Sequence, residues 1–462
     1  MLSRFRAAEF ALRNALVPRQ ALAAASCLIA LGLLFAVLLR LGDLGLYVVE
    51  TIAVGLAAGV IYFLALYFLE VSDDTPAAFG LILLGAMFFR LLLFPLAPTL
   101  SGDIHRYRWE ARVQEAGFNP YTIRPDDSRL VPLRDANWHA IPGRDIPTIY
   151  PPLSELVWRL AYRFLPGPVA FKLPFVLADL FVVGMLAGWV RFTGGRNLTL
   201  ALYAWNPLVV IEFAASGHHD SLATAAVVAA SLLIIRGWGT LSTLALAAGA
   251  LVKVFPVVLF PLWLRRAGLS RAKARGWPRS AWSWLNALVA IALAAACAWP
   301  FRSAWPQLLH SLGYYESRWQ HNNASLYALM VWFSGSPELA VGIGLGIVAG
   351  LSVWAAARRL DGVRAAYLLF GAILMLSPNA FSWYFTWLLP FLAFFPNPAW
   401  LLLTVLQFLS YHVLIGYQAG GDWHFQPFYL WLTYGPFYAL LLWRLIRPTH
   451  PEEGGGSAWQ RV

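Results

Sequence analysis

Long apolar runs separated by short polar segments fill the chain from Leu22 to Leu445. Most are close to the roughly 20 residues that a helix needs to cross a bilayer, and few charges interrupt them. The pattern predicts an all-α, polytopic transmembrane helical bundle of about 12–14 membrane segments, built as a single domain over residues 1–446. The apolar runs lie near 22–41, 47–70, 77–97, 168–190, 198–215, 282–300, 338–357, 365–377, 384–396, 399–416 and 427–446, and one more returns to Arg236.

One apolar run, residues 239–264, is interrupted by Lys253 and Pro256. A proline removes a helical hydrogen bond, and a buried lysine is costly within a bilayer. Basic segments flank both ends of this run, so we expect both ends to be cytoplasmic. The run is therefore predicted to form a broken hairpin with Lys253 near its turn.

Arginine clusters between the apolar runs set the expected orientation. The most basic segment runs from Arg265 to Arg279, and basic loops remain on the cytoplasmic side of a membrane. Both termini are then predicted to be cytoplasmic, with no cleavable signal peptide, and residues 98–165 to form a large outer loop. The Gly-rich tail 447–462 is predicted to be a disordered cytoplasmic segment.

Composition agrees with a membrane protein. Hydrophobic residues make up 60% of the 462 positions and charged residues only 12%, against roughly 25% charged in soluble domains. The net charge of +11 comes largely from these orienting arginines, so it does not indicate nucleic-acid binding. Cys27 and Cys297 lie within apolar runs and are interpreted as core residues rather than a disulfide.

The polar stretch from Ser101 to Glu110 follows an apolar run directly. On a helix, Asp103, Arg106 or Tyr107, and Glu110 share one face. A carboxylate at a membrane boundary is costly to place and usually functional, although a solvated loop turn is the structural alternative. Residues 103–116 and 153–165 are predicted to be interfacial helices, the second amphipathic, with a short span as its alternative.

The predicted topology gathers the polar residues outside the arginine loops on the outer side. An outer-face site assembled from several loops explains this better than scattered structural residues. The residues on that side are Asp103, Glu110, His218, His219, Asp220, Arg318, His321, Asn322 and Asn379.

The sequence His218-His219-Asp220 raises the question of a metal site. Adjacent helical residues point about 100° apart, and no cysteine or further carboxylate stands at metal-ligand spacing, so we expect no metal and no cofactor. The residues are predicted to hydrogen-bond a sugar or phosphate or to orient Asp103; helix packing is the alternative. Lys172 is expected to meet an anionic head group, or else to snorkel, whereas Asp179 and Lys253 are expected to neutralise each other.

Several motifs in order resemble the GT-C superfamily of membrane glycosyltransferases, in particular its polyprenyl-phosphate-mannose-dependent mannosyltransferases, which include those that build phosphatidylinositol mannosides and lipoglycans. The resemblance covers roughly residues 75–395. Its motifs are Asp103-x-x-Arg106-Tyr107-x-Trp109-Glu110, Gly117-x-Asn119-Pro120-Tyr121, Thr148-Ile149-Tyr150-Pro151-Pro152, Lys172-Leu173, Gly217-His218-His219-Asp220, Lys253-x-x-Pro256 and Trp383-Tyr384-x-x-Trp387-x-x-Pro390.

The resemblance implies an enzyme, a hexosyltransferase at the outer face of a bacterial cytoplasmic membrane. It would move a sugar, which is mannose in this branch, from a polyprenyl-phosphate donor to a hydroxyl of a glycolipid, polysaccharide or protein, with inversion. Asp103 takes the position of the family's base, with His218, His219 and Asp220 as further catalytic candidates. The substrate-binding candidates are Arg106, Tyr107, Glu110, Tyr150, Lys172, Arg318, His321, Asn322, Trp383 and Tyr384.

Two other classes share this composition. A flippase or transporter of lipid-linked sugars is expected to show polar residues near the midplane of several spans and paired discontinuous helices. A ligase that moves a whole lipid-linked polymer would share an outer-face site and usually has a larger outer loop than residues 301–325. The clustering of polar groups on one side favours the glycosyltransferase.

Overall fold

The computed structural model of the chain describes residues 2–266, 279–304, 306–307, 324–421 and 423–446. Helices and short helical turns make up the ordered elements of this part, and no strand occurs in it. The all-α prediction is therefore confirmed. The predicted disordered tail 447–462 and the candidates Arg318, His321 and Asn322 lie outside the described residues.

The first half of the chain forms ten α-helices. They are α1 Leu2–Leu41, α2 Val48–Val71, α3 Pro76–Leu93, α4 Asp103–Glu115, α5 Pro152–Phe164, α6 Leu173–Thr193, α7 Asn197–Ala204, α8 Pro207–Val210, α9 Asp220–Ile235 and α10 Gly239–Val252.

The second half adds further helices around them. Its α-helices are 260–266, Arg279–Ala298, Ser325–Ser334, Pro337–Arg358, Gly362–Leu376, Leu389–Leu392, Pro398–Leu406, Val413–Gly420 and Pro427–Ile446. Short 3₁₀ turns lie at Ser128–Leu133, Trp138–Ala140, Ala170–Lys172, Phe255–Leu259, Trp299–Ala304, Ser382–Trp387 and Gln407–His412.

Seven helices of the described chain are long and apolar enough to cross a membrane, and a bent pair makes an eighth candidate. Of four shorter apolar helices of 10–17 residues, three fall on predicted runs, whereas Ser325–Ser334 was not predicted. The polytopic bundle is thus confirmed, while the full count of 12–14 segments stays a prediction. The spans are Leu22–Leu41, Val48–Val71, Pro76–Leu93, Ala170–Thr193, Trp282–Ala304, Pro337–Arg358 and Pro398–Gly420.

The bent pair combines α7 with Pro207–Ala215 at an angle of 46°. The break has a local cause, because Pro207 cannot continue the preceding helix and Asn206 caps the new one by accepting from the Leu208 and Val209 amides. The second half then passes into a π turn at Ile211–Ala215, an element that often marks functional sites.

The predicted break within residues 239–264 is present. Helix α10 ends at Val252, and Lys253 adopts an extended conformation with φ −148° and ψ 141°. A 3₁₀ turn at Phe255–Leu259, with Pro256 in its first turn, leads into the helix 260–266. The break places the Lys253 side chain beside the start of α9, with consequences described below.

The predicted outer loop, residues 98–165, contains two short helices, α4 and α5, that pack on each other. Both have 13 residues, too few to span a bilayer, as predicted. Arg159 and Arg163 of α5 pair with Glu115 of α4 on the exposed side. Glu155 points inward instead, where its carboxylate accepts hydrogen bonds from Gln114 and Thr148.

The expected neutralisation of Asp179 by Lys253 is wrong. Asp179 pairs with Arg90 of α3 at 2.7 Å and accepts a hydrogen bond from Tyr203 at 2.8 Å, and both charged side chains are fully buried. Helical periodicity identified the face on which Asp179 lies, but it could not identify which neighbouring helix supplies its partner. Lys253 pairs with Asp220.

Candidate functional site

Asp103 is the first residue of α4, at the end of the helix where backbone amides favour negative charge. Its side chain is 22% exposed, and the Tyr107 hydroxyl donates to its carboxylate at 3.3 Å. Burial raises the pKa of Asp103, whereas the nearby His218 and Lys253 lower it. Asp103 is therefore a partly open carboxylate whose proton affinity depends on its neighbours.

His218 is placed against Asp103 by the end of the bent span. The π turn closes with a bond from the Ser216 amide to the Ile211 carbonyl, and the His218 amide donates back to the Glu212 carbonyl at 3.1 Å. Gly217 between them has φ +75°, which few other residues adopt readily. The chain thereby turns the His218 ring back towards Glu212.

The imidazole of His218 lies between two carboxylates. Its Nδ1 atom is 3.0 Å from Glu212 Oε2, and its Nε2 atom is 4.0 Å from Asp103 Oδ2. The ring stacks on Trp383, with centroids 4.1 Å apart and planes at 15°. Of the two adjacent histidines, His218 is thus the one that faces the candidate base.

His219 points into a different environment. Its ring is fully buried and meets Tyr107, Tyr150 and Trp158 edge to face, with centroids 4.6–5.4 Å apart. Tyr107 and Trp158 also stack on each other. This aromatic cluster fixes α4 and α5 against the start of α9, so the geometry favours packing over a catalytic role for His219.

Asp220 begins α9 and is fully buried. Its carboxylate accepts a hydrogen bond from the Trp387 indole at 2.7 Å and pairs with Lys253 at 2.9 Å. The Lys253 ammonium also lies 4.7 Å from the centroid of the Tyr384 ring, and its side chain remains 16% exposed. A partly open cation therefore lies next to Asp220.

The predicted residues Trp383 and Tyr384 contribute to this arrangement from the second half of the chain. Trp383 is stacked between His218 and Phe381, whereas Tyr384 stacks on Trp387 beside Lys253. Trp383 is buried and Tyr384 is half-buried. Together these rings form an aromatic wall against which His218 and Lys253 are held.

Arg106 and Glu110 form an ion pair within the outer loop. The Arg106 guanidinium also donates to the carbonyls of Gly143 at 2.6 Å and Ile146 at 2.9 Å, and both side chains are nearly inaccessible. Burial raises the pKa of Glu110, and the Arg106 charge lowers it. This pair fastens the loop onto α4, so its contribution to substrate binding is indirect.

Lys172 does not occupy the position expected for a lysine that meets a lipid head group. Its ammonium is fully buried and donates to the carbonyls of Leu96 at 2.8 Å, Ala214 at 2.7 Å and Ala215 at 3.2 Å. All three of its donors are thus used within the protein. The structure corrects the sequence-based interpretation, because Lys172 donates to carbonyls at the ends of two helical segments instead of a phosphate.

Three residues of the site escaped prediction from sequence. The sequence places Glu212 within the apolar run 198–215 and gives it no site role, and it identifies Lys253 only as a helix breaker and Trp387 only as one position of a motif. Of the three, Lys253 gave the strongest indication of a site role, because a lysine at a helix break within an apolar run is costly to place. Within the part of the chain that the structure describes, no three His, Cys, Asp or Glu side chains group closely enough to hold a metal ion.

Comparison with protein families identifies the family of the chain. Residues 19–267 match the family described as alpha-(1->6)-mannopyranosyltransferase, N-terminal domain. No curated protein and no solved structure matches the chain. The matched region spans more than half of the 462 residues and includes Asp103, Glu212, His218, Asp220 and Lys253. The chain therefore belongs to this GT-C family of mannosyltransferases, and it is a membrane glycosyltransferase.

Proposed function

We propose that the protein transfers mannose from a polyprenyl-phosphate donor to an acceptor hydroxyl at the outer face of the cytoplasmic membrane, forming an α-(1→6) linkage with inversion. The observation that carries the proposal is that two partly open groups of opposite charge lie near each other without forming an ion pair. Asp103 is 22% exposed and Lys253 is 16% exposed, whereas the neighbouring His218 and Asp220 are buried. One group is suited to accept a proton and the other to meet an anion.

Asp103 is proposed to be the general base. The acceptor oxygen attacks the anomeric carbon of mannose as its proton passes to the Asp103 carboxylate. The bond between that carbon and the phosphate oxygen breaks, and polyprenyl phosphate leaves with the electron pair. One displacement of this kind inverts the anomeric centre, and protonated Asp103 then releases its proton.

Lys253 is proposed to compensate the charge of the leaving phosphate. Phosphate monoanions and dianions are good leaving groups, so they require a positioned cation rather than an acid. The other buried cations near the site are already used, since Lys172 is bonded to carbonyls and Arg106 to Glu110 and carbonyls. Lys253 has Asp220 as its one carboxylate partner among the described residues and faces an aromatic ring on another side.

The remaining substrate contacts are proposed from sequence. Tyr384 and Tyr150 are half-buried and belong to the aromatic groups around the site, which suits contact with a sugar ring. Arg318, His321 and Asn322 are proposed to contribute from the second outer loop. A donor anchored by its polyprenyl chain, and an acceptor that is a glycolipid, polysaccharide or protein, would both reach a site at the membrane surface.

The central test measures transfer by the purified protein. Labelled polyprenyl-phosphate mannose and a membrane lipid extract are the substrates, and the labelled product is analysed for its linkage. The Asp103→Asn variant is expected to transfer mannose about 10²–10⁴ times more slowly while still binding the donor. The matched control is Asp127→Asn, which changes a carboxylate of similar exposure, 24%, in the same outer loop.

Wild-type rates in the Asp103→Asn variant would refute the assignment of the base, and Asp220 would become the next candidate. A protein that moves lipid-linked sugar across the bilayer without forming any glycosidic bond would instead be a flippase.

The proposed orientation has a separate test. A cysteine at Ser128 is expected to react with an impermeant thiol reagent in intact cells, and one at Ser270 is expected not to react.

A further inference from the structure

Glu212 is a fully buried acid close to His218, and the mechanism above gives it no role. It is fully buried in the π turn of the bent span. One of its oxygens accepts a hydrogen bond from the Tyr411 hydroxyl at 2.6 Å, and the other lies 3.0 Å from His218 Nδ1. Among the described residues, His218 is the cationisable side chain in contact with this carboxylate.

A buried carboxylate is stable only when a counter-charge or strong hydrogen bonds compensate it. His218 is the group placed to supply a counter-charge to Glu212, which it does when its Nδ1 atom, 3.0 Å from the acid, carries a proton. Its Nε2 atom lies 4.0 Å from Asp103, and neither ring nitrogen has a hydrogen-bond partner of full geometry among the described residues. A positive charge on the ring would therefore act on both Glu212 and the candidate base.

We infer that Glu212 is a positioning residue that keeps His218 protonated, so that the imidazolium charge holds Asp103 ionised and ready to accept the acceptor's proton. This inference rests on the proposed role of Asp103 as the base. It concerns how the base is kept deprotonated in a largely buried site, which neither the family match nor the general mechanism specifies.

Other titratable and charged groups surround the ring. Asp220 adds a negative charge, which is compensated by Lys253 at 2.9 Å. His219 lies in the aromatic cluster, and the Tyr107 hydroxyl donates to Asp103. Of the two carboxylates that face the His218 ring, Glu212 at 3.0 Å is closer than Asp103 at 4.0 Å.

The test is the pH dependence of the transfer rate at saturating donor. In the wild-type enzyme the rate rises with pH as Asp103 loses its proton. Glu212→Gln removes the charge that supports the imidazolium, so Asp103 is expected to ionise at a pH about one to three units higher. The rate at neutral pH is expected to fall and to recover at higher pH, with the donor KM unchanged.

Two further variants make the test specific. Glu155→Gln changes a carboxylate that is equally buried but bonded to Gln114 and Thr148, and its pH profile is expected to match the wild type. His218→Gln is expected to shift the profile in the same direction as Glu212→Gln. Because Glu212 acts through His218, adding Glu212→Gln to the His218→Gln variant is expected to cause no further shift.

An unshifted profile in Glu212→Gln, or additive shifts in the double variant, would overturn the inference. If Glu212→Gln fails to fold, the pH profile of His218→Gln alone tests the inference. An unshifted profile in that variant contradicts the role of the imidazolium. Failure of the underlying proposal gives a different result. Asp103→Asn would then transfer mannose at the wild-type rate at every pH, whatever the Glu212 variants show.

Discussion

Two clusters of buried charge in this protein use similar residues in opposite ways. In the span cluster, Arg90, Asp179 and Tyr203 are fully buried, and the Arg90 guanidinium also donates to the carbonyls of Ala86 and Ala204. In the Asp103 cluster, Asp103 and Lys253 keep exposed fractions of 22% and 16%, and His218 Nε2 lacks a hydrogen-bond partner within the described chain. A charged group whose partners all come from the protein has a structural role, whereas an incompletely satisfied one at an opening is available to a substrate.

This contrast predicts that the two clusters respond differently to the same substitution. Asp179→Asn removes a charge opposite buried Arg90 and is expected to cost about 3–5 kcal/mol of stability, because one partner of a buried ion pair is left uncompensated. Asp103→Asn is expected to leave stability nearly unchanged while reducing transfer. Thermal unfolding in detergent, measured beside the transfer rate, compares them. Equal losses of stability in Asp179→Asn and Asp103→Asn would contradict the distinction between the two clusters.

The two lysines give the same comparison within one residue type. Lys172→Met leaves three buried carbonyls without their donor, at a cost of about 1–3 kcal/mol for each unsatisfied group, and is expected to reduce the amount of folded protein. Lys253→Met is expected to remain folded and to raise the donor KM about 10-fold or more, since a charge-assisted contact is lost. The donor KM of the folded fraction is the measurement that separates the two lysines. A normal KM for Lys253→Met would remove it from the phosphate site.

The adjacent histidines sharpen the comparison further. His218→Ala removes the imidazole between Asp103 and Glu212 and is expected to lower turnover about 10-fold or more, as loss of a neighbouring charge changes the ionisation of the base. His219→Phe keeps an aromatic ring within the cluster of Tyr107, Tyr150 and Trp158, so turnover is expected to stay within a few-fold of the wild type. Initial rates at saturating donor test both. Greater loss for His219→Phe would reverse the assignment.

The smallest expected effects concern two glycines with the same backbone conformation. Gly217 and Gly237 have φ +75° and +78°. A Cβ atom at Gly217 would lie 2.6 Å from Lys172 Cγ and 2.7 Å from Ile104 Cδ1, whereas at Gly237 it would meet nothing within 4 Å. Both alanine variants are expected to lose about 1 kcal/mol of stability from the backbone, but only Gly217→Ala is expected also to lose activity. Normal turnover in Gly217→Ala would show that the turn tolerates displacement of α4.

Much of the fold follows from local sequence. Apolar runs of sufficient length predicted the long spans, Pro256 and Lys253 predicted the break after α10, and the charged faces of residues 103–116 and 153–165 predicted two short outer helices. Each of these features depends on residues close together in the chain. Asp103 was identifiable for the same reason, as a carboxylate at the first turn after a span.

The partners in the site were not predictable in this way. Asp220 meets Trp387, which is 167 residues away, and Glu212 meets Tyr411, which is 199 residues away. Such contacts depend on how helices are arranged around one another, and helical periodicity does not specify that arrangement. Lys172 illustrates the same limit, because its partners are backbone carbonyls, and those groups are present at every position of a sequence.

The bent span also has a consequence for biosynthesis. Glu212 is translated 199 residues before Tyr411, an interval of about 10–40 s at 5–20 residues per second. During that time the Glu212 carboxylate is present without Tyr411, its hydroxyl donor, while the chain is being inserted into the membrane. His218 follows only six residues later and brings a compensating group almost at once. The Glu212–His218 contact can thus form from local sequence before the second half of the protein has been made.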